Sequence, residues 1–483
     1  MIRLGGLLAV AVLALGVASP AAAATDTVRS FRVIASPFTS DDVSKRHAAG
    51  IRLNLAHRAR VTLTIEALGD AVVRHFASGR RLAKGGHRWS WAGRADGGAF
   101  VPDGDYIAHV IVRNKLGTDE RTLPLRKGMP PIYAANPGAI TVLVNPGHGG
   151  RYSGAVADGV SEKSINLDIG LRLRRLLEAA GVNVLMTRTT DADVNLPRVD
   201  VNGDGVIGRT PKGEDWDELA ARMDLGNEAR ADVHIFNHNN GAGCRCYRGT
   251  ETFTGMNRSW TPEGVALATF VQAAQLAQLD TFRSRSYYPI DRGVKAGKYY
   301  TVSPYSPIDP PLLPRPTLMP ALLTESLFVS DPIERELLRR PAVREAIAIA
   351  LYLGIADYLA TRDYGIRYEL LSAPDDLPAG GSADYEVRVT NTGNVPSAGW
   401  QLQLHNVPAV AHYDGSGAVG EMMGSAAIPD GLAPGASTTI MVHASAPPTA
   451  GEWLVKADVL IGGSDRPFLS ERGVVPLQLP LTT

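Results

Sequence analysis

Four side chains in this sequence have the types that metal-assisted hydrolysis needs: His148, Glu162, His238 and Glu325. His148 ends the stretch TVLVNPGH, where four β-forming residues run into a turn of Asn145, Pro146 and Gly147. A strand that ends in a Gly-rich loop holds a side chain at the carboxyl edge of a sheet, where α/β folds place their ligands. Glu162 opens an amphipathic helix, His238 closes a second strand (VHIFNH), and Glu325 closes a third (ALLTES). Two histidines and a carboxylate from separate elements suit a zinc ion that keeps one coordination position for water; structural zinc sites close that position, usually with cysteine. Glu325 is then the base that takes the water's proton. Taken singly, each residue has an ordinary explanation. Glu162 alone would be a first-turn acid favoured by the helix dipole, His148 and His238 loop and strand-end histidines, and Glu325 a surface carboxylate. Their occurrence together carries the chemistry.

The surrounding motifs add to this. NPGHGG, the SEKSIN segment around Glu162, Thr187–Arg188, ELAAR (Glu218–Arg222), ARAD before FNHNN, RGTET (Arg248–Thr252), DRGVK (Asp291–Lys295) and PALLTESLF resemble, in order and approximate spacing, the zinc-dependent N-acetylmuramoyl-L-alanine amidases of the Amidase_3 family. The resemblance implies zinc held by His148, Glu162 and His238, Glu325 as catalytic base, and peptidoglycan as substrate, cut between the N-acetylmuramoyl lactyl group and L-alanine. It also implies that Asn240 orients its loop or the substrate carbonyl, and that Arg292 contacts substrate. A guanidinium suits the carboxylates of a muropeptide stem, and a structural ion pair is the alternative at Arg292. One departure lies beside a proposed ligand: Phe236 stands where the family commonly has serine, and Asn237 and Asn239 flank His238. Two rival functions remain at this level. One is a non-catalytic wall-binding protein that keeps the fold; the intact four-residue set speaks against it. The other is a zinc hydrolase of the same fold acting on another amide.

Two insertions depart from the pattern. In DVNGDGVIG, Asp200, Asn202, Asp204 and Gly205 occupy positions one, three, five and six of a calcium loop. Position twelve is Pro211 and not a bidentate glutamate, so Glu214, Asp215 or Asp217 would have to complete a calcium shell; an acidic turn is the alternative. The proline-rich stretch Ser303–Pro320 enlarges the segment before the Glu325 strand; a loop of that length is usually functional or disordered, and in this position it could wall the substrate groove. Cys244 and Cys246 are the only cysteines; they could bridge to each other, pair between chains or stay reduced, and no second pair exists to complete a thiolate zinc site.

The elements that must position these residues divide the 483-residue chain into several segments. Residues 1–24 read as a secretory signal, with Arg3, an apolar core and small residues at Ala22 and Ala24. The expected address is therefore outside the cytoplasm (periplasm, wall or exterior), with no integral membrane segment after cleavage. Residues 28–127 alternate apolar and polar side chains between Gly-rich turns, as half-buried strands do. With W-x-G-x-x-D-x-G and VPDGDY they resemble the immunoglobulin-like repeat of flagellar hook-capping proteins. Trp89 and Trp91, two apart on one strand, are expected to pack into that core, with stacking on a sugar as the alternative. Residues 139–364 alternate strand and helix, which predicts an α/β domain with a mostly parallel sheet and helices on both faces. Ile165, Ile169, Leu173, Leu176 and Leu177 make one apolar helix face, and Gly181 supplies the stop. Residues 366–483 return to β, and NTGN, APGAS and GEW resemble immunoglobulin-like adhesion modules. With 49 basic and 49 acidic residues, the charge balance gives no electrostatic case for nucleic acid.

Overall fold

The computed structural model describes residues 27–34, 37–38, 48–132, 135–208, 216–256, 258–297, 299, 302, 317–408, 420–462 and 465–483. Residues 1–24, most of the proline-rich stretch, and Pro211, Glu214 and Asp215 lie outside them. Contacts group the chain into two compact units, one ending at Met129 and one spanning Pro130–Thr483.

In the first unit, a three-stranded sheet (Val28–Ile34, Ala49–Leu55, Gly85–Trp91) and a four-stranded sheet (Ala59–Ala67, Val72–Leu82, Gly104–Asn114, Gly117–Lys127) are antiparallel throughout. Alternate residues of both sheets, among them Ile51, Leu53, Val61, Leu63, Val110 and Val112, share one core, so the unit is a β-sandwich. Trp91 is buried edge-on against Phe38 and Tyr106, and Trp89 packs against the same core.

The second unit is built on a six-stranded sheet. In chain order its elements are β1 (Thr141–Pro146), α1 (Glu162–Ala179), β2 (Asn183–Met186), α2 (Trp216–Glu228), β3 (Val233–Asn240), β4 (Thr250–Thr254), α3 (Thr261–Asp280), β5 (Asp291–Ala296), β6 (Ala321–Phe328), α4 (Pro332–Leu338) and α5 (Pro341–Thr361). The strand order is β2-β1-β3-β6-β4-β5. β2, β1, β3 and β6 run parallel, while β4 is antiparallel to β6 and carries β5 parallel to itself. The sheet is thus mixed and mostly parallel. Every residue of β1 is buried, as expected for a central strand covered on both faces. The stripe Ile165, Ile169, Leu173, Leu176 and Leu177 seats α1 on that sheet beside α5, and α3 packs on α5 along the same face. α2 covers the opposite face, where Met223 meets Phe236, Phe253 and Leu323.

Residues 366–483 form two further antiparallel sheets around their own core, with Tyr385, Val387, Leu402, Leu404, Val455 and Val459 at its centre. Separate in topology, this second sandwich is not separate in packing. Val475 enters an apolar cluster with Leu143, Ala231, Trp260, Leu318 and Met319 of the α/β part. Gly473, at φ +78, lies so close to Pro320 and Trp260 that a Cβ would collide with the proline. Arg466 donates to Ser259 O at 2.9 Å and to Glu263 at 2.8 Å. Asn394, from the NTGN motif, donates to the carbonyls of Leu359, Ala360 and Arg362 and so caps the carboxyl end of α5.

Candidate metal centre and active-site pocket

The carboxyl ends of β1, β3 and β6 meet at one edge of the sheet, and the four residues singled out above converge there. Parallel pairing puts His238 of β3 level with Glu325 of β6. His148 sits just past β1 in a left-handed conformation, φ +61, which is uncommon outside glycine and is held only where the surroundings insist on it. Those surroundings are two buried arginines. Arg222 of α2 donates to Asn145 Oδ1, Pro146 O and His148 O, at 2.7, 3.1 and 2.9 Å. Arg188 donates to Pro146 O and Gly147 O, both at 3.0 Å. Arg222 is itself paired with buried Glu218, which also accepts the backbone N–H groups of Val194 and Asn195. The TR and ELAAR motifs thus hold the carbonyls of the loop that presents His148.

Glu162, first residue of α1, is buried between the histidines. Its Oε2 lies 3.2 Å from His148 Nε2 and its Oε1 lies 3.0 Å from His238 Nδ1. Oε2 also accepts the Ala155 N–H at 2.8 Å, and Oε1 accepts from Asn166 Nδ2 and the Asn239 N–H. Asn166 in turn receives Asn237 Nδ2 on its carbonyl and Asn239 Nδ2 on its side chain. The asparagines flanking His238 therefore orient Glu162 through α1. Burial opposes ionisation of Glu162, but the hydrogen bonds and charges of His148 and His238 outweigh it and hold the carboxyl well below its usual range.

One donor atom from each of His148, Glu162 and His238 lies within 4.8 Å of the others. Zinc–ligand bonds of about 2.0–2.2 Å put tetrahedral ligands roughly 3.5 Å apart, so small adjustments close this set on a zinc ion. The backbone leaves the room required: a Cβ on Gly147 would strike the His238 ring, and one on Gly154 would strike both His148 and Glu162.

This cradle opens into a pocket of about 490 Å³ lined by His148, Glu162, Asn239, Asn240, Glu325 and the loop Gly241–Gly243. Glu325 Oε2 is buried there with no hydrogen-bond partner among the described residues. Burial first, then the negative charge of Glu162, pushes the Glu325 carboxyl well above its ordinary range. An upward shift of this kind is what tunes a carboxyl for general acid–base work.

Asn240 lines the pocket and donates to Glu251 at 2.7 Å; Arg292 donates its Nε to the same carboxylate at 2.8 Å. Both are thereby tied to a residue to which sequence reasoning gave no role. The signal was present as a charged residue inside the otherwise uncharged strand TETFT. Cys244 and Cys246 form a disulfide in the loop that continues from the pocket rim, which leaves no thiolate for metal.

The acidic insertion turns inward. Asp200 accepts the N–H groups of Gly203, Asp204 and Gly205, Asn202 accepts that of Asp204, and Asp204 accepts that of Val206. Fully buried Asp217 accepts those of Val201, Asn202 and Gly208. These bonds use the acids as Asx-turn and loop-closing groups, and among the described residues the expected calcium site finds no support; Glu214 and Asp215, which would have to complete its shell, lie outside them.

Residues 142–357 match the model of the Amidase_3 family, N-acetylmuramoyl-L-alanine amidase. Among curated relatives, the N-acetylmuramoyl-L-alanine amidase LytC of Bacillus subtilis is 25% identical over 218 residues, covering 45% of this chain and 35% of its own. The germination-specific N-acetylmuramoyl-L-alanine amidase of the same organism is 26% identical over 222 residues, covering 46% and 80%. The chain thus spans only about a third of LytC. A solved amidase from Clostridium difficile 630 is 23% identical, with a TM-score of 0.35, over 46% of this chain and 98% of that one.

Proposed function

We propose that this protein is a zinc hydrolase that cleaves the amide between the lactyl group of N-acetylmuramic acid and L-alanine in peptidoglycan. The observation that carries the reading is the convergence of His148 Nε2, Glu162 and His238 Nδ1 in an open pocket, with Glu325 level with His238 on the neighbouring strand. His148, Glu162 and His238 would hold the zinc, which supplies Lewis acidity toward the amide carbonyl and lowers the pKa of water to about 7. Glu325 removes the proton of the attacking water and returns it to the departing amine nitrogen. Asn240 and Arg292 align the substrate beside it. The cell-wall substrate fits an exported protein acting in the periplasm, the wall or outside the cell. No helix among the described residues is long and apolar enough to cross a membrane. The two flanking sandwiches are read as immunoglobulin-like accessory modules.

Incubating the full chain with purified peptidoglycan and identifying the new ends by mass spectrometry tests the reaction; the expected products are free muramoyl lactyl ends and peptides beginning with L-alanine. Glu325→Gln should keep about one zinc per chain and lose on the order of 10²–10⁴-fold in turnover, whereas His148→Ala and His238→Ala should lose the metal. A parent that binds the polymer without releasing peptide would instead make it a wall-binding protein.

A further inference from the structure

Glu251 is where the pocket meets a second charged group. It lies on β4 directly across from Glu325 and is buried. Oε1 accepts Asn240 Nδ2 at 2.7 Å, while Oε2 accepts Arg292 Nε at 2.8 Å and Lys295 Nζ. Burial works against charge on Glu251, but the hydrogen bonds from Lys295 and Arg292 outweigh it and keep the carboxyl below its usual range. One carboxylate facing two cations leaves an excess of positive charge. Both cations remain partly open to solvent, with side-chain exposures of 28% for Arg292 and 38% for Lys295. Arg292 gives Glu251 only its Nε; its terminal nitrogens make no hydrogen bond among the described residues, and Tyr247 and Phe328 stand 5.9 and 5.2 Å from the guanidinium carbon. Aromatic rings on a guanidinium restrict where its free edge can face.

We propose that Glu251 is a positioning residue: it locks Asn240, Arg292 and Lys295 into one unit beside Glu325, and the surplus charge of that unit takes a carboxylate of the substrate's peptide stem. This rests on the amidase reading and adds the means by which the substrate is aligned. The unit spans three strands, β3, β4 and β5, so only a group shared by all three fixes their side chains relative to one another.

The test uses the full chain with zinc and two soluble muramoyl-peptides, one with free stem carboxylates and one with those carboxylates amidated. The parent is expected to prefer the free acid. Glu251→Gln keeps the shape and removes the charge. It should raise KM for the free acid about 10–100-fold, the range set by loss of a charge-assisted hydrogen bond, with a smaller change in kcat, and abolish the preference. Arg292→Gln should do the same, and the double variant should be no worse than the worse single one, because both act through one unit. A Glu251→Gln protein that loses turnover equally on both substrates and keeps the preference would overturn the proposal in favour of a purely structural role. If that variant fails to fold, Arg292→Gln and Lys295→Gln carry the test, and an intact preference in both overturns it. A parent that cleaves both substrates equally defeats the carboxylate site alone, whereas a parent that cleaves neither defeats the amidase reading itself.

Discussion

Replacing Arg222 by methionine tests how the His148 loop is held. The guanidinium is 1% exposed and its partner Glu218 is 2% exposed, so the pair sits wholly out of water. Removing one member of such a pair typically costs about 3–5 kcal/mol, since the other charge is left buried. The N–H groups of Val194 and Asn195 still reach Glu218, at 2.9 and 2.8 Å, which places the expected loss near the lower end, about 3 kcal/mol. The second consequence is local. Asn145 Oδ1, Pro146 O and His148 O lose their shared donor, and His148 is then free to leave its left-handed conformation. Groups that orient metal ligands are worth about 10–100-fold in metal affinity, so zinc should bind that much more weakly. Urea unfolding of the metal-free protein gives the first quantity and chelator competition gives the second. Arg174→Met, which removes an exposed pair with Glu178, is the control and should cost less than about 0.5 kcal/mol. An Arg222→Met protein that is destabilised yet binds zinc within twofold of the parent would refute the clamp.

Three further outcomes follow from the same structure. Calcium should leave the melting curve unchanged at fixed zinc, because Asp200, Asn202 and Asp204 already accept backbone N–H groups of their own loop; a rise that Asp204→Ala abolishes would reinstate a cation there. Val475→Asp places a charge among Leu143, Trp260, Leu318 and Met319 and should destabilise the second unit by ~3 kcal/mol or more, read by denaturant titration; a neutral result would mean the sandwich does not seal that cluster. Burial pushes Glu334, whose oxygens accept the N–H groups of Phe328 and Gly249, up to about 7 from 4.5. The folded state therefore holds the proton more tightly than the unfolded chain, and this contribution is full below about pH 4.5 and lost as the pH rises through 7. Glu334→Gln should flatten that decline in melting temperature, and parallel pH profiles for the two proteins would contradict the assignment.

What the sequence made legible was whatever repeats with a local period or sits at a strand end. The stripe from Ile165 to Leu177 predicts α1, the continuous apolar run of β1 predicts a central strand, and the strand-end positions of His148, His238 and Glu325 bring them to one edge of the sheet. Long-range polar pairing was not legible. Arg222 reads as an ordinary helix residue until its carbonyl partners, more than seventy positions earlier, are folded against it. Glu251 gains meaning only because β4 runs antiparallel to β6, a reversal that an alternation of strands and helices does not announce. The DVNGDG spacing fits a cation loop and an Asx turn equally well, since both use the same side-chain oxygens. Packing of the second sandwich on the α/β part was hidden as well: Val475 sits in a stretch that is unremarkable by itself, and NTGN marks a β module without telling that Asn394 caps α5.

Gly473 pressed against Pro320 has a mechanical consequence. Pro320 is the residue before β6, the strand that carries Glu325, and Gly473 stands shortly before the last strand, Leu477–Thr482. A pull on that last strand therefore travels through a few touching atoms to the strand of the candidate base, with no slack linker to absorb it. Asn394 adds a parallel path into the end of α5. If the terminal sandwich is gripped from outside, the pocket cannot swivel about a tether; it can only point in the direction its carrier points. Such a construction gives up reach and gains a fixed angle of approach.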